Sequence, residues 1–353
     1  MKTEKSRLLK LRLLTSVVSV VLFWAVLEFI LALCEINFKK PVSLFFYGFS
    51  VATGFESGTY LRDPDLLWKY RPNQKMSIVL QGETLPREYS INSRGLRDND
   101  HVYEKNPDCL RIVCLGDSWT WGSGADQDKV YPKVLEKIIR EKSGIKIEVI
   151  NAGVAGYSSL QGLRFFRNEL IKYRPDIITL FFGMDDSAPA YFYTDREQTS
   201  YPEKGGMIRN ILQKSRVYQF MDTSILFVRL RNRKMEFDKS LERVSPKEFQ
   251  ENLSSIMEIA VQKGIKVVVL NYPLPPQSEK DRHAPVDGTF VYNRVVRQWA
   301  DTYHVPVVDN YSVFKRYDPE AVFHPMFDAH PSNEGHRVIA EELFKVLSDK
   351  GWI

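Results

Sequence analysis

Cysteine is scarce, with three residues in a chain of 353. Cys34 ends an apolar N-terminal segment, while Cys109 and Cys114 stand just before and within one expected strand. That placement excludes a disulfide framework, because two cysteines so close along an extended chain cannot bridge without distortion. All three read as small buried hydrophobes. Charge of one sign is also lacking. Lys and Arg number 49 against 44 Asp and Glu, a net charge of +5 with no dense basic stripe. This excludes the electrostatic footprint of a nucleic-acid binder. There is no internal repeat and no low-complexity tract. What remains, 44% hydrophobic and 26% charged, is the composition of an ordinary globular chain. Its length suffices for one large α/β domain with an appendage.

One long apolar run is present. From Leu13 to about Cys34 the chain is almost entirely apolar, about the length that spans a bilayer. Lys2, Lys5, Arg7, Lys10 and Arg12 precede it, and only Lys39 and Lys40 follow closely. The bias of basic residues places residues 1–12 in the cytoplasm, a transmembrane anchor at 13–35 and the remainder outside. A cleaved signal peptide is the rival, with a shorter apolar core and small residues at the cut. Leu31-Ala32-Leu33-Cys34 loosely resembles a lipoprotein box, but Leu33 stands where a small residue belongs. The uncleaved anchor is the better fit. Glu28 is the one charge inside the run; there it snorkels, takes a proton or faces a membrane partner.

Residues 36–108 read as a stalk and a small β-rich appendage, with strands expected at 76–80 and 88–92. From 109 to 353 the pattern alternates. Apolar strand candidates at 111–115, 145–150, 176–182, 265–270 and 305–308 are separated by amphipathic stretches at 131–142, 159–173, 247–263 and 289–303, with a last helix over 333–348. Such alternation predicts a parallel sheet between two helical layers, a three-layer α/β/α fold. The aromatic-rich segment 185–246 breaks the rhythm. It is either a lid or substrate wall, or a helical excursion over one sheet face.

The chemistry concentrates where strands end, the place open α/β sheets hold their sites. Ile112-Val113-Cys114-Leu115 stops in Gly116-Asp117-Ser118, with a helix-like segment after it. Alone, this tripeptide is better explained by a turn. The Gly-x-Ser-x-Gly elbow is absent. Further segments fall at the later strand ends: Asn151-Ala152-Gly153-Val154-Ala155-Gly156, Gly183-Met184-Asp185-Asp186, Asn271-Tyr272-Pro273 and Asp328-Ala329-His330-Pro331-Ser332. In order and spacing, residues 110–350 resemble the SGNH or GDSL hydrolases. The lead-in Ile91-Asn92-Ser93-Arg94-Gly95-Leu96-Arg97-Asp98 resembles that of the membrane-anchored bacterial members.

The resemblance implies a five-stranded, flavodoxin-like parallel sheet and no cofactor. It implies Ser118 as nucleophile, His330 as its base, and an oxyanion hole from the N–H groups of Ser118 and Gly153 with the residue at 185. Asp117, Asn151, Gly183 and Asp186 would support them. The chemistry needs these types, since a serine hydroxyl attacks only when an imidazole takes its proton. Two departures stand out. Where the family carries Asp-x-x-His, Phe327 precedes His330 by three. Asp328, two before it, lies on the same side of an extended segment and is kept as the orienting carboxylate. Where the family carries Gly-x-Asn-Asp, Asp185 replaces the asparagine, and an ionised carboxylate cannot donate to an oxyanion. Either burial beside Asp186 protonates it, or the backbone donors suffice, or the site is weak. A metal reading of His324, Asp328, His330 and His336 leaves the Ser118 segment unexplained.

The function expected is a membrane-anchored, extracytoplasmic serine esterase acting on acyl esters of envelope glycans or lipids. An O-acyltransferase of exported polysaccharide uses the same residues. A binding module on a decayed hydrolase fold rests on Asp185 alone.

Overall fold

The computed structural model describes residues 2–34, 58–78, 86–190, 194–200, 212, 214–221, 224, 241–273, 287–324 and 330–353. Among the described residues the strands are β1 (Tyr60–Asp63), β2 (Leu67–Tyr70), β3 (Gln74–Ile78), β4 (Arg87–Ile91), β5 (Leu110–Gly116), β6 (Ile147–Gly153), β7 (Ile177–Phe181), β8 (Lys266–Leu270) and β9 (Val307–Val308). The last five form one parallel sheet in the order β6-β5-β7-β8-β9. Ile112, Val113, Cys114 and Leu115 of β5 are all fully buried. A strand covered on both faces must be apolar throughout, which is why these strands read as unbroken apolar runs.

The helices are α1 (Lys2–Leu33), α2 (Ser118–Trp121), α3 (Tyr131–Ser143), α4 (Ser159–Asn168), α5 (Met184–Ser187), α6 (Asp195–Ser200), α7 (Pro246–Lys263), α8 (Asp287–Tyr303), α9 (Asn310–Phe314), α10 (Pro319–Val322) and α11 (Asn333–Asp349). Helix α3 packs with α11, and α7 packs with α4 and α8. Their starts follow local chemistry. Ser158 and Gln161 form a capping box at α4, and Ser245 caps α7 ahead of Pro246. The expected helix over 159–173 stops at Asn168, and a 3₁₀ turn (Leu170–Tyr173) finishes it.

The appendage holds two antiparallel hairpins, β1–β2 and β3–β4. The strand expected at 76–80 begins earlier, at Gln74, and 79–80 lie outside the described residues. The hairpin β1–β2 was not foreseen, because Tyr-Leu-Arg-Asp and Leu-Trp-Lys-Tyr are too short and too charged to show a clear period.

Contacts divide the chain into two units, 1–45 with 200–239, and 46–199 with 240–353. The 185–246 segment expected as one insertion is thus split, only its middle belonging with the N-terminal helix. In the first unit, Ser6–Leu33 is long and apolar enough to cross a membrane, with a mean hydropathy of 2.4. A signal sequence fits those properties too. Glu28 meets its partner within the chain. Its carboxylate accepts from Ser215 Oγ (2.9 Å), Arg216 N (2.7 Å) and Val217 N (3.0 Å). It therefore caps the helical stretch 216–221, where free N–H groups favour an anion.

Candidate active site

The sheet register brings the site together. Gly116 pairs with Gly153 on one side and with Phe181 on the other. The segments after β5, β6 and β7 therefore leave the sheet side by side. Asp117 caps α2, accepting from Trp119 N at 2.9 Å, and this puts Ser118 at the first position of that helix. His330 arrives from the far end of the chain. An isolated bridge pairs Phe323 with Pro331, His324 N donates to His330 O at 2.8 Å, and Ser332 caps α11 through Gly335 N at 3.1 Å. The imidazole lies 6.1 Å from the Trp119 ring. Ser118 Oγ and His330 Nε2 are 2.8 Å apart, across 212 residues of sequence. A hydroxyl so held can pass its proton to the imidazole as it attacks a carbonyl. Asp328 lies outside the described residues.

Gly153 does not fill its expected part. Its N–H donates to Asn151 Oδ1 at 3.0 Å, so it is not presented to a substrate. The glycine is needed for a different reason. A Cβ there would stand 2.1 Å from Trp121 N and 2.5 Å from Thr120 C, so only glycine lets β6 pass under α2. Gly156 is the other glycine of this segment. It has a φ of +82°, which favours glycine. Among the described residues its N–H meets no protein acceptor. Ala155 O accepts from Trp68 Nε1 at 3.4 Å, and Gly156 O from Arg243 Nη1 at 2.7 Å.

Asn151 is fully buried, and its backbone N–H donates to Asp98 Oδ2 at 2.8 Å. Asp98 belongs to the lead-in segment, whose purpose is now apparent. Arg97 spends its guanidinium on the carbonyls of Trp121 (3.0 Å), Gly122 (2.5 Å) and Ala125 (2.7 Å). It thereby closes the carboxyl end of the short helix that carries Ser118.

The carboxylates crowd together. Gly183, at φ +133°, opens α5, which carries both Asp185 and Asp186. Burial pushes Asp185 up to about 6; Arg243 opposes the shift and Asp195 adds to it. The like charge expected from Asp186 comes instead from Asp195. Asp186 faces away, accepting from Ser159 N (2.9 Å) and Ser159 Oγ (2.5 Å). Burial takes it up to about 7, against its Ser159 hydrogen bonds. Burial and the charge of Asp185 hold Asp117 well above the carboxylate range, and Tyr272 donates its hydroxyl to Asp117 Oδ2. Asp185 Oδ1 lies 3.7 Å from Arg243 Nη1. Sequence reasoning missed the roles of Tyr272, Arg243, Asp195 and Gly156. Only Tyr272 and Gly156 lay in segments that marked a strand end.

Of the histidines weighed as metal ligands, His336 is buried in α11 and accepts Tyr131 N–H at its Nδ1 (3.2 Å). Burial holds it down to about 3. Among the described residues no three ligand-type side chains converge. Cys114 is likewise a core residue, its thiol raised to about 12 by burial.

A parallel α/β sheet with a serine–imidazole contact at its strand ends is the arrangement of a serine hydrolase. The chain belongs to the GDSL-like lipase/acylhydrolase family, whose model matches residues 114–338. Solved structures with which it aligns include a lipase/acylhydrolase from Enterococcus faecalis (19% identity, 68% of this chain and 96% of that one, TM-score 0.47). Another is a member of the lipolytic protein G-D-S-L family from Veillonella parvula (16%, 68% and 98%, TM-score 0.44). A third is an acetylxylan esterase from Geobacillus stearothermophilus (17%, 67% and 94%, TM-score 0.45). No curated protein matches the chain.

Proposed function

We propose that this chain is a membrane-anchored, extracytoplasmic serine esterase that removes acyl groups from envelope glycans or lipids. The observation that carries the reading is the 2.8 Å contact between Ser118 Oγ and His330 Nε2. Ser118 Oγ attacks the ester carbonyl while His330 takes its proton. The tetrahedral intermediate expels the alcohol, which leaves with that proton. Water then adds to the acyl-enzyme by the same route and releases the acid. Asp328 orients the imidazole. The Ser118 and Gly156 N–H groups receive the oxyanion, each such donor lowering the barrier by about 3–4 kcal/mol. The apolar run at 13–35 and the basic residues before it support the anchor and its orientation.

The test is hydrolysis of p-nitrophenyl esters of rising chain length, alongside an acetylated glycan. Ser118→Ala should abolish turnover and fluorophosphonate labelling while leaving the thermal transition in place. Turnover that survives the substitution would sink the reading. Free acid as the product supports hydrolysis, and acyl groups appearing on an added glycan would identify a transferase. Protease accessibility in spheroplasts tests the orientation, since an external domain is digested without lysis.

A further inference from the structure

Arg243 is 2% exposed and belongs to none of the strand-end segments. Its Nε and Nη2 clasp Asp195 at 3.0 and 2.8 Å, and Nη2 also reaches Gln161 Oε1 at 2.9 Å. Its Nη1 donates to Gly156 O at 2.7 Å and lies 3.7 Å from Asp185 Oδ1. One guanidinium therefore touches both the loop that presents the Gly156 N–H and the carboxylate that replaces the family's asparagine. A planar five-donor fork can serve several acceptors at once, which lysine cannot.

The loop is held from the other side by the appendage. Trp68 is 1% exposed. Its Nε1 donates to Ala155 O at 3.4 Å, and its own carbonyl accepts from Tyr157 Oη at 2.6 Å. In a trans peptide the C=O and N–H point in opposite directions. Holding Ala155 O thus directs the Gly156 N–H away from Trp68. Arg243 secures the next carbonyl along.

We propose that Arg243 is a positioning residue that holds Gly156 in place and neutralises Asp185, so that this site tolerates a carboxylate where its family carries an asparagine. Asp195 is the counter-ion that keeps the guanidinium there, aided by Ser158 Oγ, which donates to Asp195 Oδ2 at 2.6 Å. The proposal rests on the esterase reading above.

The test is a double-mutant cycle on the full chain, with Arg243→Met and Asp185→Asn alone and together, read as kcat and KM on p-nitrophenyl acetate. Ser118-dependent turnover of the unmodified protein is measured first, and its absence would defeat the esterase reading rather than this one. With turnover present, Arg243→Met should lower kcat with little change in KM. Its cost should be about 10-fold smaller in the Asp185→Asn background, the size of coupling expected of groups in contact. A purely structural role for Arg243 gives the same cost in both backgrounds, and that result would overturn the proposal. Arg243→Lys keeps the charge and loses the fork, so it should recover part of kcat. If Arg243→Met does not fold, the cycle is run with Arg243→Gln, which keeps a hydrogen-bond donor and removes the charge, and equal costs in the two backgrounds again refute it.

Discussion

Replacing Asp185 with Asn removes a negative charge from a buried cluster and supplies an N–H donor at the position proposed for the oxyanion hole. Burial raises the carboxyl from 3.8 to about 6, so its ionised form costs the folded protein on the order of 3 kcal/mol. The folded state holds this proton more tightly than the unfolded chain. Hence the penalty is present in full above pH 6 and fades as pH falls toward 3.8. Asp185→Asn should therefore raise stability most at pH 7–8, by up to ~3 kcal/mol, and the gain should vanish near pH 4. Loss of the 3.7 Å contact with Arg243 trims this gain, though Arg243 keeps Asp195. Catalytically, one added donor is worth up to ~10²-fold in kcat. Thermal melts from pH 4 to 8 and p-nitrophenyl acetate turnover measure both effects. Activity should hold or rise. Complete loss of turnover in a folded variant would show that the carboxylate acts in the reaction, and a pH-independent stability difference would refute the burial reasoning.

The buried His336 should act in the opposite sense. Its imidazole falls from 6.5 to about 3 on folding, so the unfolded chain binds the proton first and stability is lost as pH drops through that window. His336→Gln should lessen acid denaturation between pH 6 and 3, by at most ~5 kcal/mol at the low end. Gly153→Ala should abolish soluble expression or lower the melting temperature sharply, because the new methyl meets the backbone of α2. Gly156→Ala should cost only ~1–2 kcal/mol of stability but reduce kcat strongly; a ranking of the two reversed in both assays would return the oxyanion donor to Gly153. Arg97→Ala leaves three carbonyls of the Ser118 segment without their donor and should cost ~3 kcal/mol or more in urea denaturation.

The esterase family and its sheet were legible because both depend on local pattern. Ile112 to Leu115 announces a doubly covered strand, and the polar tripeptide after it marks where that strand must stop. The same logic located Asn151 and Gly183 at strand ends and His330 just ahead of the last helix. Which glycine offers a free N–H was not legible. Gly153 and Gly156 stand in one segment, and the choice turns on the Asn151 side chain reaching back 3.0 Å to the nearer one.

The order of apolar and polar residues was enough to specify a parallel sheet, a membrane-length N-terminal helix and the types of side chain at the strand ends. Hydrophobic burial imposes a period that a linear string records. The electrostatics of the site needed the folded chain. Arg243 meets Asp195 across 48 residues and Gly156 across 87, while Tyr272 reaches Asp117 across 155. Such pairs carry no local period. Their energy comes from burial in one place, which exists only once the strands have aligned.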